Sequence, residues 1–313
     1  MSTSPFPSAS YEVRLHSRSR IEPVRGLRYH VRLWGPDPAA GGPPPLVLLH
    51  GWMDVGASFQ FFVDALAAAG DGPRCIVAPD WRGFGLTETP GTDTYWFPDY
   101  LADLDALLDH LVPDGPVDLL GHSMGGNVAM LYAGLRPARV RKLVNVEGFG
   151  MPRTQPEQSP GRLVQWLDEL KAPARLRGYD NLDGVAERLR ANDPLLAPER
   201  AIWLAPHWAR QDAAGQWQLL ADPAHKRVNP MLYHVEEVLA CWRLITAPLL
   251  WVEGDQTDTA KWWGHRFPRS EFEQRLQAVP KVCQVRLSPS GHMVHHDRAE
   301  ELARTMVALG KAA

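Results

Sequence analysis

Short apolar runs alternate with longer amphipathic segments along most of the chain. Residues 46–49, 75–78, 117–120, 142–147, 248–252 and 282–287 are brief and largely apolar, as expected of strands covered by helices on both faces. Between and after them, residues 59–69, 100–111, 127–135, 270–279 and 298–309 have helical composition or apolar positions at helical spacing. This alternation predicts a mostly parallel sheet with right-handed crossovers. Upstream, residues 11–15 and 27–33 switch between apolar and polar at every position, which predicts an antiparallel pair at a sheet edge, joined to the rest by the Pro/Gly-rich stretch 36–45.

The alternation stops between Gly148 and Trp242, a stretch that carries nine prolines and only short amphipathic segments such as 163–170 and 185–189. It predicts a helical cap inserted above the sheet. The expected organisation is a core in two parts, residues 1–147 and 243–313, with the cap at 148–242. Trp166, Trp203, Trp208 and Trp217 within it are candidates for a pocket roof, although packing is the default role of any one tryptophan.

Composition narrows the function classes. The 313 residues are 45% hydrophobic and 22% charged, with a net charge of −3 spread along the chain, the profile of an ordinary globular protein without an electrostatic footprint for nucleic acid or an anionic membrane. No apolar run approaches the length of a membrane span, and the first ten residues lack a signal-peptide core, so a cytoplasmic location is expected. Cys75, Cys241 and Cys283 are odd in number and sit in apolar runs, which predicts buried thiols rather than a disulfide or metal set. No cofactor or metal is expected.

The chemistry centres on Gly121-His122-Ser123-Met124-Gly125-Gly126, placed where an apolar strand ends and a helix begins. Gly-x-Ser-x-Gly in that context is a nucleophile elbow: small residues flank a serine held above the sheet, and free N–H groups of the helix start lie beside it. A serine hydroxyl needs a base and a carboxylate to orient that base, usually in the chain order Ser, acid, His. His292, on the loop after the last strand, is the expected base, whereas His295 and His296 read as a solvated helix face. Gly254-Asp255-Gln256-Thr257-Asp258 follows the preceding strand and offers two carboxylates. Asp258 is preferred, Asp255 is the alternative, and Glu147 at the end of an earlier strand is a third option. The Met124 N–H is one expected oxyanion donor, and the Trp52 N–H of His50-Gly51-Trp52-Met53-Asp54 is the other. Asp80 and Arg82 read as braces of a glycine-bearing loop.

His50-Gly51-Trp52, Asp80-Trp81-Arg82-Gly83-Phe84-Gly85, Gly121 to Gly126 and Gly291-His292 occur in the order that marks the α/β-hydrolase superfamily. The resemblance runs from about Leu27 to the carboxyl terminus apart from the cap. His50 to Asp54, the 100–111 helix and Val146-Glu147-Gly148-Phe149-Gly150 are similar to the capped serine hydrolases of the serine hydrolase-like and mesoderm-specific group. The resemblance implies an eight-stranded sheet with a lid. Many relatives show Gly-x-x-Ser-Asp after the seventh strand; Thr257-Asp258 fits with threonine for serine, and this is the main ground for preferring Asp258. Ser123 in place of an elbow aspartate argues against epoxide hydrolase and haloalkane dehalogenase chemistry.

The expected function is hydrolysis of a small-molecule carboxylic ester with apolar groups through an acyl-enzyme. The alternatives are C–C bond hydrolysis or cofactor-free chemistry on an aromatic substrate, suggested by the tryptophan-rich cap, and a non-catalytic small-molecule receptor.

Overall fold

In the computed structural model, which describes residues 10–312, the chain begins with strands β1 (Arg18–Val24) and β2 (Leu27–Trp34), joined by a two-residue turn in which Arg25 and Gly26 both have positive φ. The core continues through β3 (Leu46–Leu49), α1 (Gln60–Ala68), β4 (Ile76–Pro79), α2 (Phe97–Leu111), β5 (Val117–His122), α3 (Met124–Leu135) and β6 (Val140–Val146). An inserted segment then carries α4 (Ser159–Leu170), α5 (Leu182–Asn192), α6 (Pro198–Trp208), the hairpin β7 (Ala209–Gln211) and β8 (Trp217–Leu219), and α7 (Val235–Trp242). The core resumes with β9 (Leu249–Gly254), α8 (Ala260–Trp263), α9 (Arg269–Leu276), β10 (Val282–Leu287), α10 (Val294–Asp297) and α11 (Ala299–Ala312).

Eight strands form one sheet in the order β1-β2-β4-β3-β5-β6-β9-β10. Only β2 runs against its neighbours; the pairs from β4 to β10 are parallel. The apolar runs are continuous because both faces are covered. In β3, Val47 and Leu49 join one core with Tyr100, Leu104 and Met130, while Leu46 and Leu48 join the other with Phe62, Leu66 and Leu302. Strand β9 divides in the same way, Leu249 and Trp251 on one side and Leu250 and Val252 on the other. Each buried leucine or valine contributes about 1.5–3 kcal/mol, so the sheet is a rigid platform for whatever its strand ends carry.

Three expectations are corrected. The partner of β2 is residues 18–24, not 11–15. Residues 11–15 lie against α1 instead, where Asp64 accepts hydrogen bonds from the Tyr11 hydroxyl and from the Arg14 and Leu15 N–H groups. Of the cysteines, Cys75 is buried, with its thiol pushed up to about 11 by burial, but Cys241 is half-buried and Cys283 exposed on the edge strand β10. The inserted segment is also not wholly helical, since β7 and β8 pair within it.

That segment is fastened to the loop between β4 and α2. Phe84 and Ala221 form a backbone bridge, the Gly85 N–H donates to Leu220 O and the Asp222 N–H to Gly83 O. His225 stacks between Phe84 and Tyr95, with ring centroids 3.8 and 3.5 Å away, and the Trp166 indole N–H donates to the Thr94 hydroxyl. Among the described residues, no helix is long and apolar enough to cross a membrane.

Candidate active site

Strand β5 ends at His122 and α3 begins at Met124, leaving Ser123 alone in the turn with φ 52° and ψ −114°. This is a costly conformation for a residue with a Cβ, of order 1–3 kcal/mol, and it persists only where the surroundings enforce it. They do: the Ser123 N–H donates to Val146 O and its carbonyl accepts from the Asn127 N–H. A Cβ on Gly121 would lie 2.3 Å from Gly125 O, and one on Gly125 would lie 2.1 Å from Leu49 O. The glycines of the elbow are therefore set by close approach of strand and helix. The first N–H groups of α3 have no partner within the helix and lie next to the serine.

The loop after β3 reaches the same point. A Cβ on Gly51 would sit 3.2 Å from the Ser123 Cβ and 2.9 Å from His122 Nδ1, which brings the Gly51-Trp52 backbone beside the serine. His50 holds that loop. Its Nε2 accepts from the Trp81 N–H and its Nδ1 lies 2.8 Å from Gly51 O, so the ring is a neutral bridge with the proton on Nδ1, and burial lowers its pKa. The Trp52 side chain points outward and is 51% exposed.

His292 lies on the loop between β10 and α10. Its Nδ1 is 3.0 Å from Glu147 Oε2, and its carbonyl accepts from His122 Nε2 at 2.9 Å. His122 is fully buried and its pKa falls well below the ordinary imidazole value through burial and the nearby His295 and His292 rings; a neutral ring that donates through Nε2 fixes the His292 backbone. The rest of the loop hangs on Asp297, whose carboxylate accepts from the Ser290 hydroxyl and the Gly291 N–H. Trp262 of α8 packs edge-on against the His292 ring at 4.6 Å, a contact that sequence reasoning missed because α8 is only four residues long.

The carboxylate brought to His292 is that of Glu147, not of the preferred Asp258. Glu147 directly follows β6, has φ 61°, and its side chain is fully buried. Its Oε1 accepts from the Gly254 N–H at 2.6 Å and the Thr257 hydroxyl at 3.0 Å, leaving Oε2 for His292. Burial raises its pKa, opposed by the hydrogen bond and charge of His292 and by the two Oε1 donors. Asp258 is exposed and accepts from the Ala260 N–H at the start of α8. Asp255 is turned toward β10, accepting from the Ser288 hydroxyl and the Ser290 N–H. The 254–258 loop thus supplies Glu147 with two donors rather than supplying His292 with a carboxylate.

Other expected positions fall as follows. Asp80 accepts from the Gly56 and Leu86 N–H groups and pairs with His30, and Arg82 grips Asp103 through two 2.6 Å hydrogen bonds, so both brace loops. His295 and His296 are not a solvated face: both are buried, because α10 turns inward onto α1 and the loop that starts at His50. Of the four tryptophans, Trp203 packs on Tyr11 and Phe61, Trp208 is buried, and Trp217 lines a cavity of about 400 Å³ with Arg32, Asp80 and His207 that does not include Ser123 or His292.

A strained serine at a strand-to-helix turn, with a histidine packed 4.8 Å from the ring of the preceding His122 and held by a buried carboxylate, on an eight-stranded, mostly parallel sheet, defines a hydrolase of the α/β fold. Residues 44–299 match the model of the alpha/beta hydrolase fold, and the chain belongs to that family. It is similar to a serine hydrolase-like protein of Dictyostelium discoideum, 25% identical over 297 residues that cover 90% of this chain and 78% of that one. It is also similar to a 3-hydroxybutyrate-oligomer hydrolase of Cupriavidus necator, 30% identical over 243 residues covering 74% and 77%. Among solved structures, the thioesterase domain from the curacin biosynthetic pathway superposes with a TM-score of 0.80 at 25% identity, covering 94% of this chain and 99% of that one.

Proposed function

We propose that the protein hydrolyses carboxylic esters through an acyl-enzyme, with Ser123 as nucleophile, His292 as base and Glu147 as the acid that orients it. The observation that carries this reading is the 3.0 Å contact between His292 Nδ1 and Glu147 Oε2 at the end of the strand next to the elbow. The bond keeps the Nδ1 proton in place and so leaves the Nε2 lone pair free. Nε2 takes the Ser123 hydroxyl proton as Oγ attacks the acyl carbon, and the N–H groups of Met124 and Trp52 receive the developing oxyanion. His292 then gives its proton to the departing alkoxide, which leaves as the alcohol. Water, deprotonated by the same nitrogen, attacks the acyl-enzyme and releases the acid and free Ser123. The likeness to a 3-hydroxybutyrate-oligomer hydrolase and to a thioesterase domain supports acyl transfer as the chemistry. The exposed Trp262 ring, packed on His292, suits an ester with apolar groups.

The test is a p-nitrophenyl ester series from acetate to palmitate together with covalent labelling by a serine-directed fluorophosphonate. Wild type should label and turn over ester, and Ser123→Ala should do neither. Folded wild-type protein that neither labels nor hydrolyses any ester would overturn the proposal.

A further inference from the structure

Behind the catalytic histidine lies a second group of chemistry-bearing side chains that ester hydrolysis does not use. Asp54, His295 and His296 are each buried, and one carboxylate oxygen and one nitrogen of each ring lie within 4.8 Å of one another. One edge is already short, with His295 Nε2 3.5 Å from Asp54 Oδ2; the Ser58 hydroxyl donates to that oxygen at 2.8 Å and lies 3.3 Å from that nitrogen, so an ion would displace this contact. Two ligands on a tetrahedral zinc ion, each about 2.0–2.2 Å from it, stand about 3.4 Å apart, so the triangle closes by small side-chain rotations. The donor set of two imidazoles and a carboxylate suits divalent ions of the zinc class over calcium or magnesium.

Unpartnered atoms give a second and independent indication. Among the described residues, His295 Nδ1, His296 Nε2 and Asp193 Oδ2 are buried without a hydrogen-bond partner. His295 is 0% exposed and His296 1%. Of the three atoms, His296 Nε2 bears on the site: it has no partner while the other nitrogen of the ring, Nδ1, faces Asp193 Oδ2 at 3.7 Å; His295 Nδ1 is the nitrogen opposite the one that faces Asp54. Metal-bound imidazoles commonly hold a carboxylate on the second nitrogen, and Asp193 stands where His296 would need one.

We infer that Asp54, His295 and His296 form a binding site for a divalent transition-metal ion of the zinc class. The ion would tie the loop bearing Gly51 and Trp52 to the short helix that follows His292. Asp193, at the end of α5, would hold His296 from the side of the inserted segment.

Cobalt(II) and zinc(II) are the probes, applied to the full chain after treatment with a chelator and long equilibration, since the site is enclosed. One Co²⁺ per chain with visible ligand-field absorption is expected, together with a rise in Tm on adding ZnCl₂. His296→Gln and Asp54→Asn should each weaken cobalt binding at least tenfold and abolish the Tm shift. Asp54→Asn keeps the shape and the acceptor for the Val55 N–H. No bound cobalt in wild type, or undiminished binding in both variants, overturns the site. Should the variants not fold, zinc-edge anomalous diffraction from soaked wild-type crystals decides: a peak among the three side chains supports the site, and peaks only elsewhere refute it.

Discussion

Glu147 makes three hydrogen bonds and Asp258 makes one at the surface, and this difference orders the expected effects of substitution. Glu147→Gln keeps the shape but can present an N–H where His292 needs an acceptor. Its kcat on p-nitrophenyl esters should fall by about 10³–10⁴, the scale associated with a triad histidine in the wrong tautomer. Asp258→Asn should stay within about twofold of wild type, and the pair of rates distinguishes the two acids directly. Ser123 and the Gly51-Trp52 and Met124 segments stand out in the sequence through glycines, and the structure shows why: at Gly51, Gly121 and Gly125 a Cβ would meet neighbouring atoms 2.1–2.9 Å away. The acid has no such marker. A carboxylate after β6 and one after β9 reach the same imidazole from adjacent strands, and which arrives depends on where β9 turns. Here Gly254 ends β9 with its N–H on Glu147, and the loop beyond turns Asp255 and Asp258 away. His295 and His296 were misread for a related reason: the four-residue α10 sets their direction, and it is too short to show a period.

At the scale of elements, the contact between α3 and β3 leaves no room for a side chain at Gly125. Gly125→Ala would drive a methyl group into the Leu49 carbonyl 2.1 Å away, and backbone cannot yield as a flexible side chain can. The expected result is a loss of at least about 2 kcal/mol, read as a lower urea midpoint, with Ser123 displaced and ester turnover lost. Gly161→Ala in α4, which meets nothing within 4 Å, is the control and should leave the midpoint unchanged or slightly raised. Strands were legible where both faces are buried, since a continuous apolar run admits few other readings. The edge was not: residues 11–15 alternate like a strand, yet Asp64 takes their N–H groups, while β1 with its Arg-Ser-Arg start is too polar to attract notice.

Across the whole molecule, the inserted segment and the core meet around histidines that must stay neutral. Burial pushes His225 down to about 3 between Phe84 and Tyr95, and His207 down to about 4 with Arg32 adding to the effect. Both values lie below the ordinary 6.5, so from there down to the folded values the unfolded chain binds more protons than the folded one. Stability therefore rises with pH through this window and is lost as pH falls. The urea midpoint should drop between pH 7 and pH 5, and His225→Phe, which keeps the stack but cannot take up a proton, should show a smaller drop. The prolines and broken period of the segment set it apart in the sequence. Its attachment was not legible, because Ala221, Asp222 and His225 meet Gly83, Phe84 and Tyr95 across more than a hundred residues.

The backbone angle at Ser123 sets activity against durability. A glycine adopts φ 52°, ψ −114° without a Cβ to strain, and the relief of about 1–3 kcal/mol exceeds the roughly 0.5–1 kcal/mol that glycine adds to the entropy cost of folding. Ser123→Gly should therefore melt higher than the wild type while hydrolysing nothing, a result that differential scanning calorimetry on the two proteins can check. If it does, selection for a more heat-resistant chain alone would discard this serine first, and any programme of stabilisation must hold this one position fixed and seek its gains elsewhere.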